Sequence, residues 1–337
     1  GPSYSEYEIG DIVFLAKDKP LKLSNGEEIN NFPIAYQTYG KLNEDKSNAI
    51  LICHALTGDQ YVASDNPITG KKGWWDLMVG EGKSIDTNKF FVIASNIIGG
   101  CMGSFGPKTI NPKTNAPYGL DFPIITMNDA VNAQNLLIEH FGIEKLHAVI
   151  GGSAGGMQVL SWAVLYPQKV KLVIPIATSY RFTSQNIAFH EVARQAIMAD
   201  TDWCGGKYYE QKKYPSSGLA LARMTAHITY LSENALHRKF GRNLQDKDNL
   251  SFSFDKDFKI ESYLHHQGYS FVERFDPNSY LYVTKTVDYF DIETDFLGKL
   301  NEAFVDFAKN LDHKFCIIAF SDDWLFPPSE AQKLKKA

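Results

Sequence analysis

The 337 residues include four cysteines, Cys53, Cys101, Cys204 and Cys316, scattered along the chain. They form no Cys-x-x-Cys pair and no array with histidine at zinc-site spacing, so neither a metal site nor a disulfide framework is indicated and reduced thiols are the simpler reading. A basic excess is also lacking. Thirty-four Lys and Arg stand against 39 Asp and Glu, a net charge of −5, which leaves no electrostatic footprint for nucleic acid or an anionic membrane surface. No apolar run approaches the length of a membrane span and the N-terminus has no signal-peptide core, so a cytoplasmic protein is expected. Residues 96–107 carry four glycines that can bring backbone close to a ligand, but no Gly-Lys-Ser/Thr closes the stretch, so it is not a phosphate loop. His265 and His266 are adjacent; neighbours on a strand point to opposite faces, which argues against a shared metal.

What is present is the composition of an ordinary globular protein, 44% hydrophobic and 22% charged, long enough for one large α/β domain with an insertion or for two domains. Gly1-Pro2-Ser3 reads as a protease scar and carries no fold information. Residues 11–22 and 32–39 read as strands separated by the hairpin signal Ser24-Asn25-Gly26. Residues 48–53 and 90–95 are apolar runs suited to strands buried on both faces, and the first empties into the polar loop His54 to Asp59. Residues 125–141 are amphipathic, with Met127, Ala130, Ala133, Leu136 and Leu137 on one face and Gly142 as cap. Another buried strand follows at 171–176. Alternating strands and helices of this kind predict a parallel, doubly wound sheet.

Between these lies Gly151-Gly152-Ser153-Ala154-Gly155, a Gly-x-Ser-x-Gly motif. The bare motif arises by chance, and the competing reading is a glycine-rich turn with an idle serine. Here β-friendly residues precede it and an apolar helical pattern follows, with Met157, Leu160, Ala163 and Val164, which is the context a nucleophile elbow requires. Ser153 is therefore the candidate nucleophile. From about Thr178 to about Asp295 the sequence turns helical and aromatic, as an inserted cap would; residues 315–320 resume the β pattern and end in Ser321-Asp322-Asp323-Trp324. An acid after a later strand fits the chain order Ser, Asp, His of hydrolases.

The chain resembles the homoserine O-acetyltransferases, α/β-hydrolase-fold acyltransferases of methionine biosynthesis. The likeness runs from about Phe32 to Pro328. It rests on Ala35-Tyr36-Gln37-Thr38-Tyr39-Gly40, the loop His54 to Asp59, Gly73-Trp74-Trp75-Asp76, Gly99-Gly100-Cys101, the elbow, Ala193-Arg194-Gln195-Ala196-Ile197, Gly218 to Met224, Arg274-Phe275-Asp276 and Ser321 to Pro328. The resemblance implies an α/β-hydrolase core over residues 4–177 and 296–337 and a helical lid over 178–295, through which a homodimer forms. It implies Ser153 as nucleophile, Asp323 as triad acid with Asp322 as second choice, the backbone N–H groups of Leu56 and Ala154 as oxyanion hole, and Arg223 and Tyr230 as the pair that holds the homoserine carboxylate. Acetyl-CoA is then a co-substrate, and no cofactor or metal is implied.

Several positions depart from the family pattern: Ala154 where Met is frequent, Phe105 for Thr, His190 for Asn, and Gln60-Tyr61 where a His is common. All nine histidines precede Asp323, whereas the family base lies after the acid in a Gly-His-Asp segment; the expectation is that the sequence stops short of the last strand, the His loop and the final helix. His54 belongs to the oxyanion loop, where a supporting role is expected. The alternatives are a homoserine O-succinyltransferase or serine O-acetyltransferase of the same family, a plain esterase or thioesterase, and a binding protein without its base.

Overall fold

The strands with the least polar sequences lie at the centre of the sheet, because only there are both faces removed from water. In the computed structural model, which describes residues 10–178, 181–231 and 233–292, Ala49–Cys53 (β3) and Phe91–Ser95 (β4) are buried at every position. With Asp11–Leu15 (β1), Phe32–Tyr39 (β2), Leu146–Gly152 (β5) and Val170–Ile176 (β6) they form one sheet in the order β1-β2-β4-β3-β5-β6. The four strands β4, β3, β5 and β6 are parallel. These four are the doubly wound part that the alternation of strands and helices predicts; at one edge β1 and β2 pair antiparallel, in keeping with the hairpin signal between them, and β2 runs antiparallel to β4. The chain between β1 and β2 forms no helix; it folds into the short hairpin of Leu21–Lys22 with Glu28–Ile29 and returns locally, so β1 and β2 pair antiparallel.

The strand expected over 11–22 is also two pieces. Ala16 takes a left-handed φ of 57° and its carbonyl accepts from the Asn31 N–H, and Pro20, which has no N–H, precedes a separate short strand Leu21–Lys22. The predicted turn at Ser24-Asn25-Gly26 is present, joining Leu21–Lys22 to Glu28–Ile29.

Alternation along the strands divides the core. Leu51, Cys53, Ile93, Val149 and Val173 face helices Met127–His140 (α1) and Ala154–Leu165 (α2), meeting Val131, Leu137, Val159 and Trp162. Ile50, Ile52, Val92, Ala94, Ala148 and Ile150 face the other way and are covered by Val62, Val79 and Ile85. Helix α1 starts at a reciprocal cap between Thr126 and Asp129, and Gly142, with φ of 70°, ends it where a left-handed residue is needed.

After β6 the described chain is helical: Ser184–Ala199 (α3), Ser216–Tyr230 (α4), Glu233–Phe240 (α5), Lys259–Val272 (α6) and Pro277–Asp288 (α7). Helix α4 packs between α3 and α6. His265 and His266 lie on α6, not on a strand, because the surrounding residues complete a helical apolar face. Helix α7 is fastened to the sheet side of the molecule: the Tyr282 hydroxyl donates to the Phe122 carbonyl at 2.6 Å and the Thr286 hydroxyl to the Ile125 carbonyl at 2.7 Å. The expected strand at 315–320, Asp322 and Asp323, and the expected return to the core at 296–337, fall outside the described residues.

Candidate functional site

Strands β3 and β5 are neighbours and parallel, with Cys53 opposite Gly151, so the loops that leave their C-terminal ends lie side by side. One loop is His54 to Asp59; the other is the turn at Ser153. The elbow is as tight as its spelling demands. A Cβ on Gly155 would stand 2.2 Å from the Cys53 carbonyl oxygen, and one on Gly151 would stand 2.5 Å from the Gly155 backbone. Neither position has room for a side chain, which is why the motif needs glycine at both.

Ser153 itself has φ 55° and ψ −120°, a conformation that costs a non-glycine residue about 1–3 kcal/mol and persists only when its surroundings impose it. They do so through three hydrogen bonds. The Ser153 N–H donates to Ile176 at 3.0 Å, and its carbonyl accepts from the Met157 N–H at 3.2 Å and the Thr178 hydroxyl at 3.0 Å. The side chain takes no part: among the described residues Oγ has no hydrogen-bond partner, and it makes no cap to α2. A partly exposed hydroxyl is thus held at the N-terminus of a helix, where developing negative charge is favoured.

The facing loop is pinned from beneath. Gln158 on α2 donates to the His54 carbonyl at 3.1 Å and accepts from Gln134 at 2.6 Å, and Gln134 accepts in turn from the Trp162 indole at 2.8 Å. All four residues are buried. An indole N–H at one end and a carbonyl at the other leave only one orientation for both amides. The His54 ring is held at both nitrogens, accepting from the Ile97 N–H at 3.0 Å through Nε2 and donating from Nδ1 to the Ala55 carbonyl at 2.7 Å. Burial depresses its pKa to about 4, so it is neutral. Among the described residues the N–H groups of Leu56 and Ala154 donate to no protein acceptor, and Leu56 packs against the apolar cluster that contains Ala154 and Met157.

Arg223 and Tyr230, seven apart on α4, share a face as their spacing predicts, and Arg223 reaches this same loop. Arg223 Nη1 donates to the Thr57 hydroxyl at 2.9 Å and to the Tyr230 hydroxyl at 3.4 Å. Four residues without a role from the sequence complete the cluster. Arg274 Nη1 donates to the Thr57 carbonyl at 2.8 Å, both guanidiniums lie over the Phe271 ring, and His227, one turn from Arg223, meets the Tyr263 hydroxyl at 3.1 Å through Nδ1. The segment carrying Arg274 is anchored by buried Asp276, which accepts from the Tyr208 and Tyr209 hydroxyls while capping α7. Their signal was available in part, since Arg274-Phe275-Asp276 lies within the family-like stretches, but no periodicity links position 274 to position 57.

A cleft of about 530 Å³ opens on this loop, lined by Thr57, Asp59, Lys71, Lys72, Arg223 and Arg274 among others. Two acids share the cleft: Asp59, buried, accepts from the Tyr61 N–H and Asn66 with its pKa raised by burial, and Glu273, next to Arg274 in the chain, lines it too. The thiols at the site are poor nucleophiles, since burial pushes Cys53 far above its ordinary value and Cys101 up to about 12.

Three of the departing positions, Phe105, Gln60 and His190, make packing or hydrogen-bonding contacts within the fold. Phe105 is buried against Phe32, Tyr118 and Phe122, and Gln60 donates to the Met102 carbonyl at 2.9 Å. His190 Nδ1 lies 2.7 Å from Asp288, which also pairs with Arg194 at 2.7 Å, tying α3 to α7. Asp323, the expected acid, lies outside the described residues, so the described site holds Ser153, Leu56, Ala154, Arg223 and Tyr230.

Residues 48–337 match the family model of the α/β hydrolase fold. The chain is 62% identical to a homoserine O-acetyltransferase of Mesorhizobium japonicum over 97% of its own length and 83% of the relative's. It superposes on the crystal structure of homoserine O-acetyltransferase from Bacillus anthracis with a TM-score of 0.83 at 32% identity, covering 96% of this chain and 86% of that one. Esterase E22 is similar too, with a TM-score of 0.81 at 28% identity over 97% of this chain and 88% of that one. The elbow, the paired loops and these likenesses together place the chain in the homoserine O-acetyltransferase family of the α/β hydrolase fold.

Proposed function

We propose that this protein transfers the acetyl group of acetyl-CoA to the side-chain hydroxyl of L-homoserine through an acetylated Ser153. The observation that carries the reading is the meeting of two loops and one helix: an elbow serine whose Oγ has no partner among the described residues, and beside it the Leu56-Thr57 loop bonded to Arg223, which in turn is bonded to Tyr230. A nucleophile for acyl groups thus stands close to a guanidinium suited to a carboxylate.

In the proposed cycle a histidine base, which the family resemblance places after Asp323, takes the Ser153 proton while Asp323 orients it. Oγ attacks the thioester carbon, and the Leu56 and Ala154 N–H groups receive the developing oxyanion. The CoA thiolate leaves with the proton, and acetyl-Ser153 remains. Homoserine then binds with its carboxylate on Arg223 and Tyr230; its hydroxyl gives a proton to the same base and attacks the acetyl carbon, and collapse of the second oxyanion releases O-acetylhomoserine and free Ser153. No cofactor enters. Helices α3 to α7 act as a lid, so that bound homoserine competes with water through proximity. We place this reaction in methionine biosynthesis in the cytoplasm, in a homodimer formed through the lid helices.

Hydrolysis is the second reading, favoured by the likeness to esterase E22. In that reading Arg223 and Tyr230 have no carboxylate to hold. Steady-state rates with acetyl-CoA, succinyl-CoA, homoserine, serine and water as partners separate the two. Parallel double-reciprocal lines for acetyl-CoA and homoserine support transfer; acetyl release to water at a rate that homoserine does not alter contradicts it.

A further inference from the structure

The described residues contain one histidine bonded at both ring nitrogens to backbone of the site, and the acyl-transfer cycle above leaves it without a task. We infer that His54 is a positioning residue: by holding the Ala55 carbonyl it aims the Leu56 N–H at the carbonyl oxygen of the acyl group on Ser153. The inference rests on the reading of Ser153 as the nucleophile.

The Ala55 carbonyl and the Leu56 N–H belong to one peptide unit. That unit is planar and trans, so the two bonds point in opposite directions and fixing one fixes the other. Two donors converge on the Ala55 oxygen, His54 Nδ1 at 2.7 Å and the Gly58 N–H at 3.0 Å. The Leu56 N–H is thereby turned away from the loop interior, and among the described residues nothing accepts from it. A hydrogen bond to a peptide carbonyl also polarises its own N–H, strengthening the donor.

The arrangement needs one tautomer, and the partners dictate it. A backbone carbonyl only accepts, so Nδ1 carries the proton; a backbone N–H only donates, so Nε2 carries the lone pair for Ile97. Neutrality is maintained by burial. The preceding peptide is restrained in the same way, by Gln158 on the His54 carbonyl, and Gly58 is close enough that a Cβ there would lie 2.9 Å from the His54 Cβ. The imidazole therefore sits at the centre of the turn that carries the Leu56 donor.

The test compares His54→Asn, His54→Gln and His54→Leu on p-nitrophenyl acetate, an acyl donor that needs the oxyanion donors but not homoserine. Asn retains a donor near the Nδ1 position, Gln retains a polar atom near Nε2, and Leu retains neither. Expected is a fall in kcat approaching about 10²-fold for Leu with KM little changed, the range for loss of one oxyanion donor. Asn recovers about tenfold or more of it, and Gln stays with Leu at a comparable Tm. Gln equal to or better than Asn, or kcat within about threefold of the parent in all three, overturns the inference, as does failure of all three to fold, since His54 would then be a purely structural residue. If Leu alone fails to fold, the order of Asn and Gln decides. Ser153→Ala, run alongside, separates the readings: turnover that survives it removes the nucleophile assignment, whereas Ser153-dependent turnover without transfer to homoserine contradicts the transferase reading and leaves the His54 comparison valid.

Discussion

Arg223 Nη1 on α4 lies 2.9 Å from the hydroxyl of Thr57, the residue that follows Leu56, so the helix bearing the proposed carboxylate pair is bonded directly to the loop bearing the proposed oxyanion donor. Arg274 grips the same residue through its carbonyl. The proposed carboxylate pair and the proposed oxyanion donor thereby meet at one short loop, between two cations and an elbow.

Arg223→Ala should raise the KM for homoserine by about 10- to 100-fold, the equivalent of one or two charge-assisted hydrogen bonds, while acetylation of Ser153 changes by only a few-fold because Arg274 still holds Thr57. Arg223→Lys should recover little, since a point charge cannot serve Thr57, Tyr230 and a carboxylate together. Stopped-flow acetylation beside steady-state homoserine kinetics checks both; an unchanged KM would sink the assignment of Arg223.

Two glycines of the elbow, Gly155 and Gly152, should respond differently to a methyl group. Gly155→Ala drives a Cβ to 2.2 Å from the Cys53 oxygen, and overpacking against backbone costs about 1–3 kcal/mol or more. At Gly152 an added Cβ meets only Ile176, at 3.8 Å and beyond, so Gly152→Ala should unfold close to the parent. Urea denaturation of the two variants tests this contrast, and equal stabilities would contradict the geometry.

Acid should weaken the fold through His54. Its folded pKa is about 4 and its ordinary value 6.5, so between those limits the unfolded chain binds the extra proton. Stability is whole above pH 6.5 and is lost as pH falls toward 4, by about 3 kcal/mol for this group. In His54→Asn, which does not titrate, the slope of unfolding free energy against pH in that window should be shallower. An identical slope would mean that His54 is not buried neutral.

Much of this was legible in the chain. Ser153 could be placed on a strand-to-helix turn because residues 146–152 and 154–165 change period around two glycines whose Cβ atoms have no room. The face shared by Arg223 and Tyr230 follows from a spacing of two helical turns. Other features were not legible. The break in the strand at Ala16 depends on a backbone bond from Asn31, and the role of Phe105 depends on aromatic neighbours at 32, 118 and 122. Arg274 and His54 stand in family-like stretches, but the backbone carbonyls they bond, those of Thr57 and Ala55, carry no sequence signal. Local periodicity identifies elements; it does not show which carbonyl a distant side chain will reach.

The central claim is that Ser153 carries the acetyl group. Mixing the protein with acetyl-CoA in the absence of homoserine and measuring intact mass, followed by peptide mapping, tests it most directly. The account predicts one added acetyl group on the peptide containing Ser153, lost on addition of homoserine and absent in Ser153→Ala. No adduct, or an adduct that maps elsewhere and survives Ser153→Ala, would contradict it.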